Sequence, residues 1–364
     1  MKKLVSLTLA LLIALLALLP AMAEETRTIR TGVLTMLNVT EAEMANYRQA
    51  RALIGGQLRK EGLQTNALSQ IREKGQNGED GNRPELNIEI VYFDTLDAML
   101  MALNAGNIDE MEIYETTAQY LTHTDPNLVQ IVTYNESAED KGFVHLALRC
   151  HLANDFAFMF MEDNKALRDE FDAALAAITE EEMDKLIQDN ITAAIDGDEI
   201  SSIRMPVIEG AQTLKVAVTG SLPPMDYVAA DGTPAGFNTA LLAEISQRIG
   251  KNIELVVVDS VGRAAALASG AVDAVFWTRT NSASNERTSL SGEDRAKRKE
   301  AIDKEMTEEE LETMEEVKKL VKLSDYGSTD MPEGTIITAP YFHDIIVPVT
   351  TQAELDDLAA RANR

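Results

Sequence analysis

The sequence is poor in the residues that most often build metal sites and disulfide bonds. Its 364 residues include one cysteine, Cys150, and four histidines. A single cysteine excludes an internal disulfide and a zinc site built on cysteines. The histidines are scattered without the spacing of metal ligands, so we expect no metal and no cofactor. They are His123, His145, His151 and His343.

Signatures of catalysis are also missing from the sequence. It contains neither a Gly-x-Ser-x-Gly nucleophile elbow nor a glycine-rich phosphate loop. Acidic runs do occur, as at residues 180–182 and 308–310. Such runs are typical of solvated helix faces rather than of paired catalytic carboxylates. We therefore predict that the protein is not an enzyme.

Positive charge is scarce along the chain. Lysine and arginine number 33 against 60 aspartates and glutamates, which gives a formal net charge of −27. Nucleic acids and anionic membranes repel such a chain, so neither is an expected partner. The length exceeds that of one ordinary core and favours two domains.

The amino terminus has the pattern of an export signal. Lys2 and Lys3 precede an apolar run from Leu4 to Leu19, and Ala21-Met22-Ala23 follows as a small-residue cleavage site. The apolar run is short for a bilayer span, so a cleaved signal peptide is favoured over a membrane anchor. We predict a signal peptide at residues 1–23 and a secreted or periplasmic mature protein. No cysteine lies beside the site, which excludes the lipid-anchored form.

Two stretches of the chain repeat one pattern. Asn87–Asp94 is followed by a helical segment and then by Asn104–Asp109, while Asn252–Asp259 is followed by a helical segment and then by Ser269–Asp273. The β-branched runs predict strands, and the segments between them have helical spacing. Alternating strands and helices predict parallel pairing with right-handed crossovers. The fold class is therefore α/β, present twice.

The repeat predicts the division of the mature chain. The first unit covers residues 24–210 and is the more divergent, and the second covers residues 211–364. A turn-rich stretch before residue 210 separates them. A charged insertion at about 288–325 has apolar residues three to five apart, which predicts amphipathic helix. That helix either docks a partner or packs on its own domain.

Four segments of the second unit follow the motifs of one family in order. They are Leu214–Tyr227, Asp231–Asn238, Leu267–Val275 and Ala339–Phe342. Together they resemble the family 3 solute-binding proteins, extracytoplasmic receptors that deliver amino acids and similar solutes to ABC importers. The resemblance implies periplasmic-binding-protein-like (type II) lobes with parallel-rich sheets flanked by helices. It also implies a small polar solute, such as an amino acid, and an ABC transporter permease as partners.

The resemblance places a ligand at the carboxyl ends of the second unit's strands. The family clamps the solute carboxylate with an arginine, whose planar fork makes two charge-assisted hydrogen bonds. Arg279 and Arg287 are both candidates for this clamp. Trp277 and Tyr227 offer an aromatic wall, although a single tryptophan fits core packing equally well. The candidate ligand-binding residues are Asp226, Tyr227, Trp277, Thr278, Arg279 and Arg287.

Neither unit is long enough to be a complete two-lobed member of this family. Residues 156–175 of the first unit resemble the family's closing strand and helix, and the second unit stops one helix after residues 345–350. Either the two units face each other, or a separate partner completes the cleft. The leading hypothesis is a solute-binding component of an importer. The alternative is a degenerate scaffold or sensor-like module that contacts other proteins.

The signal pattern yields the first testable prediction. We expect the exported protein to begin at Glu24 and to carry no lipid, because Ala21-Met22-Ala23 fits the signal peptidase and no cysteine adjoins it. Mass spectrometry of the exported protein measures both properties. An intact Met1 terminus or an acyl adduct would contradict the prediction.

Overall fold

The structure is a computed structural model. It describes residues 28–37, 39–60, 64–66, 87–134, 153–198, 202–229, 231–259, 261–280, 304, 306–320 and 331–362. The predicted signal peptide, its cleavage site and Arg287 lie outside these described residues.

The described residues form strands and helices that alternate along both units. The strands are β1 (Thr28–Leu34), β2 (Gln64–Asn66), β3 (Asn87–Phe93), β4 (Glu110–Tyr114), β5 (Leu128–Gln130), β6 (Val132–Tyr134), β7 (Ala153–Met161), β8 (Thr213–Val218), β9 (Ser221–Leu222), β10 (Asp226–Val228), β11 (Pro234–Ala235), β12 (Asn252–Val257), β13 (Ala274–Thr280), β14 (Thr335–Ile337) and β15 (Phe342–Thr351). The helices are α1 (Glu41–Lys60), α2 (Leu96–Asn104), α3 (Glu115–Thr124), α4 (Lys165–Ala176), α5 (Glu180–Ile187), α6 (Ala193–Asp196), α7 (Phe237–Ile249), α8 (Gly262–Ala268), α9 (Glu308–Leu320) and α10 (Gln352–Ala362).

One long sheet organises the molecule, with its strands in the order β12-β8-β13-β7-β15-β4-β1-β3. At one end β3, β1 and β4 of the first unit are parallel, and at the other end β12, β8 and β13 of the second unit are parallel. From the edge of the sheet inward, the order is β3, β1, β4 in the first unit and β12, β8, β13 in the second, so both units have the same strand order. The predicted α/β class, with parallel-rich sheets flanked by helices, is confirmed.

Matched aspartates make the same hydrogen bonds in both units. Asp109 accepts a hydrogen bond from the Arg30 backbone N–H at 2.7 Å and donates its own N–H to the Arg30 carbonyl at 2.8 Å. Asp273 does the same with Lys215 at 2.7 and 2.8 Å. Both aspartates therefore anchor the loop before the third strand to the start of the first strand, as the repeat in the sequence requires.

Two antiparallel strands, β7 and β15, cross between the units. β7 belongs to the first unit, yet it pairs with β13 and β14 of the second unit. β15 belongs to the second unit, yet it pairs with β4 and β5 of the first unit. The two strands also pair with each other, with Phe342 opposite Phe156 and Asp344 opposite Asn154. Each unit therefore completes the sheet of the other.

This exchange accounts for the shortness of each unit. The strand and helix at residues 156–175, expected to close the first unit, become β7 and α4, and α4 packs on α7 of the second unit. The two units lie side by side in one continuous sheet, joined through β7 and β15, and each half of this sheet with its helices is called a lobe below. A single cluster of buried apolar residues runs through both lobes. The chain boundary near residue 210 stays a prediction.

The described part of the charged insertion is helix α9. It packs on α1, with Met314 and Val317 buried. Lys60 at the end of α1 also pairs with Glu309. The predicted amphipathic helix therefore covers the first lobe, although its sequence is inserted in the second unit. It packs on the body of the protein, against α1 of the first unit.

Helix α7 shows how glycine sets an element's limits. Gly236 precedes the helix with φ 99° and Gly250 follows it with φ 67°, and a glycine in the left-handed region is a common C-terminal stop. A Cβ on Gly236 would lie 2.6 Å from the Met225 carbonyl oxygen, whereas one on Gly250 would meet no atom within 4 Å. The backbone conformation favours glycine at both positions. Only at Gly236 would an added Cβ also clash with neighbouring atoms.

These two glycines form a matched pair for a stability test. We expect Gly236→Ala to lower the free energy of unfolding by roughly 2 to 4 kcal/mol, because strain adds to a clash with backbone. Gly250→Ala should cost only about 1 kcal/mol, the conformational term alone. Urea unfolding followed by circular dichroism measures both. Equal losses in the two variants would show that the close approach to Met225 does not matter.

Candidate functional site

The carboxyl ends of β4 and β13 meet at the crossing strands. Thr280 at the end of β13 lies opposite Asp155 of β7, and Tyr114 at the end of β4 lies opposite Ile346 of β15. In α/β proteins ligands bind beyond the carboxyl ends of parallel strands. The junction between the two lobes is therefore the candidate functional site.

Aromatic rings form the floor of this junction. Trp277 is 1% exposed and stacks on Phe156, with ring centroids 3.7 Å apart and planes 6° apart. The edge of Tyr114 meets Trp277 at 5.8 Å. Trp277 has φ 55° and is the only residue other than glycine with positive φ in the described ranges. It sits in a bulge of β13, a feature common beside functional sites.

Arg279 lies beside these rings, and its guanidinium is held by a carboxylate from the other lobe. Its side chain is 9% exposed and forms a bidentate pair with Glu43 of α1, in which Nη2 donates to Oε2 at 3.2 Å. Nη1 also donates to Asn154 Oδ1 at 3.3 Å. Burial works to lower the pKa of Arg279, but the hydrogen bonds and charge of Glu43, with smaller contributions from Tyr114 and Tyr47, raise it overall.

The junction also contains buried polar groups that have no hydrogen-bond partner within the described part of the chain. They are Tyr114 Oη, Asn154 Nδ2, Trp277 Nε1 and Thr278 Oγ1. All four can donate a hydrogen bond. Tyr114 lies close enough to Arg279, Asp344 and Glu43 for their charges to act on it. Because buried donors without acceptors are costly, their concentration suggests a place for an oxygen-rich ligand.

A second buried carboxylate, Asp344 of β15, lies at the same junction. Its Oδ2 accepts hydrogen bonds from the Thr116 hydroxyl at 2.5 Å and from the Thr116 N–H at 3.2 Å. Its Oδ1 accepts from the Ile345 N–H at 2.8 Å. Burial raises the pKa of Asp344 to about 7, and the neighbouring Glu115 acts in the same direction. The first turn of α3 thus holds Asp344 in place.

Asp226 and Tyr227 of β10 occupy a different part of the second lobe. Asp226 is 2% exposed and accepts hydrogen bonds from the N–H groups of Thr219 and Gly220, both at 2.7 Å. It therefore holds the loop after β8, and burial raises its pKa. Tyr227 is half-buried, and its ring faces Tyr120 of α3 across the lobes at 6.5 Å.

The structure brings Trp277, Thr278 and Arg279 together at the junction. It places Asp226 in β10, where it holds the loop after β8, and Tyr227 at a contact between the lobes. Sequence reasoning missed Glu43, Asn154 and Asp344. Asp344 had a visible signal, since it is a charged residue in an apolar strand. Glu43 had none, because an acidic residue in the first turn of a helix is expected on any surface helix.

Other parts of the described chain offer weaker candidates. A groove of about 630 Å³ between α1 and α9 is lined by Gln57, Lys60 and residues 307–309 and 312, and includes none of the predicted site residues. No group of three or more His, Cys, Asp or Glu suited to a metal ion occurs in the part of the chain that the structure describes. In that same part, no helix combines the length and apolar character needed to cross a bilayer.

The pKa of Asp344 predicts how stability varies with pH. Because its folded value lies above the unfolded value near 4, the folded state holds an extra proton between about pH 4 and 7. Stability from this group is present at low pH and is lost as pH rises. The free energy of unfolding of Asp344→Asn minus that of the wild type should rise by roughly 3 kcal/mol from pH 4 to 8. Urea titrations across this range measure it, and a constant difference contradicts it.

Comparison with known proteins agrees with the second unit's motifs. Residues 214–291 match the family model described as bacterial extracellular solute-binding proteins, family 3. The match confirms the predicted resemblance, and it covers Trp277, Thr278 and Arg279. It spans less than a quarter of the chain. No curated protein matches the chain by sequence.

Several solved structures are similar to the whole chain at low identity. The ligand-binding component of an ABC-type import system from Staphylococcus aureus, with zinc bound, is 12% identical, with 93% of this chain and 71% of that chain covered and a TM-score of 0.36. The VFT2 domain of BvgS from Bordetella pertussis is 12% identical, with 94% and 88% covered and a TM-score of 0.34. A phosphate-binding protein of a phosphate ABC transporter from Streptococcus pneumoniae is 10% identical, with 92% and 95% covered and a TM-score of 0.30.

Proposed function

We propose that the protein is an extracytoplasmic solute-binding component of an ABC importer, and that a small solute with a carboxylate binds between its lobes. The single observation that carries the proposal is the position of Arg279. Its fork lies buried at the junction of the two lobes and already holds a carboxylate in bidentate geometry. A place that accepts the carboxylate of Glu43 has the charge and shape to accept that of a solute.

The neighbouring groups favour an anion with several oxygens. Tyr114, Asn154 and Thr278 present buried donors beside Arg279, and carboxylate oxygens can accept from them. An amino acid fits the site further, since its ammonium group would be attracted to the carboxylate of Glu43. Amino acids are therefore the first solutes to test.

The remaining parts of the proposal follow from the sequence. The family that matches residues 214–291 is described as extracellular, and the amino terminus has an export signal, which together support an extracytoplasmic site. An ABC transporter permease is the proposed protein partner. The shared strand order and the matched bonds of Asp109 and Asp273 support an origin of the two lobes by internal duplication.

A scaffold or sensor-like module is the second candidate function. The observation that favours it is the same ion pair, because Glu43 satisfies Arg279 without any solute. A module that only contacts proteins does not need an arginine that is available to bind a solute. The two functions differ in one measurable property, which is whether a small solute stabilises the folded protein.

A thermal-shift screen of amino acids, polyamines and short peptides decides between these two functions. A solute that binds only the folded state raises the melting temperature by mass action. We expect a rise with at least one carboxylate-bearing solute. No shift with any of them would favour the scaffold.

Mutation of Arg279 tests the site itself. We expect the double variant Arg279→Gln with Glu43→Gln to lose roughly 2 to 5 kcal/mol of binding free energy for the best solute from the screen, because the charged fork is gone. The paired change avoids leaving Glu43 buried without a partner. Arg279→Lys should restore only part, since an ammonium lacks the fork. Isothermal titration measures each affinity.

Two arginines serve as comparisons in the same titrations. Arg248 of α7 pairs with the exposed Glu182 and Glu244, so Arg248→Ala should change the affinity little. Arg287→Ala tests the other arginine that the sequence offers as a clamp. Unchanged affinity in the Arg279 variants together with a loss in Arg287→Ala would transfer the clamp to Arg287.

A further inference from the structure

The carboxylate that fills the Arg279 fork comes from the opposite lobe. Glu43 lies in the first turn of α1, in the first lobe, whereas Arg279 belongs to β13 of the second lobe. Both side chains are more than nine-tenths buried. An uncompensated buried charge is costly, so the fork has to hold an anion or face water. The contact between Glu43 and Arg279 therefore ties the two lobes together.

Helix α1 is fixed to the first lobe by a separate set of ion pairs. Arg51 forms a bidentate pair with Glu112 of β4 at 2.7 and 2.9 Å, and Arg48 lies 3.0 Å from the same carboxylate. Burial works to raise the pKa of Glu112, but the two arginines lower it overall. Glu43 is therefore anchored to the first lobe, and a separation of the lobes would break its bond to Arg279.

We propose that Glu43 is an internal ligand of the solute site. In the protein without solute, its carboxylate takes the place of the solute carboxylate at Arg279 and holds the lobes closed. This inference rests on the proposed function. A solute then binds by competition, and its apparent affinity falls in proportion to the fraction of molecules in which Glu43 occupies the fork.

The competition also determines which solutes bind. A solute that offers only a carboxylate exchanges one anion for an equal one at Arg279. A solute whose other groups reach the buried donors of Tyr114 and Asn154 makes contacts that Glu43 does not make. Glu43 is therefore a specificity-determining residue. It lowers the apparent affinity of solutes that offer only a carboxylate more than that of solutes that also bond Tyr114 and Asn154.

Two features of the chain allow a direct test. Trp277 is the only tryptophan, and Tyr114 of β4 in the first lobe meets its buried ring at 5.8 Å, so its fluorescence is sensitive to contact between the lobes. Glu41 lies in the same first turn of α1 as Glu43, but it is exposed. Glu41→Ala is therefore a control with the same change of charge and the same position relative to the helix dipole.

The experiment uses the mature chain with Glu43→Ala or Glu41→Ala, and propionate as the probe. Propionate is a small monocarboxylate that supplies the carboxylate that Glu43→Ala removes. Without propionate, we expect the Trp277 emission of Glu43→Ala to shift to the red and to be quenched more by acrylamide, while Glu41→Ala matches the wild type. Propionate should reverse both changes, and it should bind Glu43→Ala at least about tenfold more tightly than the wild type.

Three outcomes separate the possibilities. Trp277 emission in Glu43→Ala equal to that in Glu41→Ala, with no gain in propionate affinity, overturns the inference. Opening that propionate reverses, combined with failure of every solute in the thermal-shift screen, supports the internal ligand and overturns the proposed function. If Glu43→Ala loses its circular dichroism signal, Glu43→Gln replaces it as a neutral variant of equal size, with Glu41→Gln as its control, and has to show the same red shift.

Discussion

The antiparallel pairing of β7 with β15 is the interaction on which the rest of the structure depends. β7 belongs to the first unit and pairs with strands of the second, whereas β15 belongs to the second unit and pairs with strands of the first. A central strand cannot be removed without leaving two rows of backbone groups unpaired, so neither lobe is complete alone. The two strands also join the lobes at one narrow place. Any relative motion of the lobes has to bend β7 and β15.

Several buried ionisable side chains lie at the same junction. Arg279 with Glu43 and the carboxylate of Asp344 lie next to a stack of aromatic rings. A well-packed apolar core of similar volume is often at least as stable as a buried ion pair. Charge retained in such a place therefore needs a reason other than stability. The proposed exchange of one carboxylate for another at Arg279 would be such a reason.

Local patterns in the sequence predicted the elements well because their causes are local. Helix α7 is an example, because its limits and its buried face depend only on residues within or next to it. Its apolar stripe of Leu241, Leu242 and Ile245 is buried, and the helix ends before Gly250. The strands of the repeat depend on short β-branched runs, and both units place them in the same order. Trp277 was predicted as either pocket wall or core, since composition does not distinguish the two.

Contacts between distant residues had no comparable signal. The pairing of Arg279 with Glu43, and the placement of α9 on α1, join residues of different units across more than two hundred positions of sequence. An acidic residue in a helix's first turn has the same local pattern whether it faces water or an arginine. Its partner is chosen only when both lobes have folded.

The sequence by itself determined the α/β class, the repeat, the helix limits and the arginine candidates, because each depends on side-chain periodicity or on short motifs. Only the tertiary structure decided that each lobe borrows a strand from the other unit and that Glu43 reaches Arg279. The strand exchange depends on where β7 and β15 find open sheet edges. Edges of that kind exist only after the parallel strands have paired.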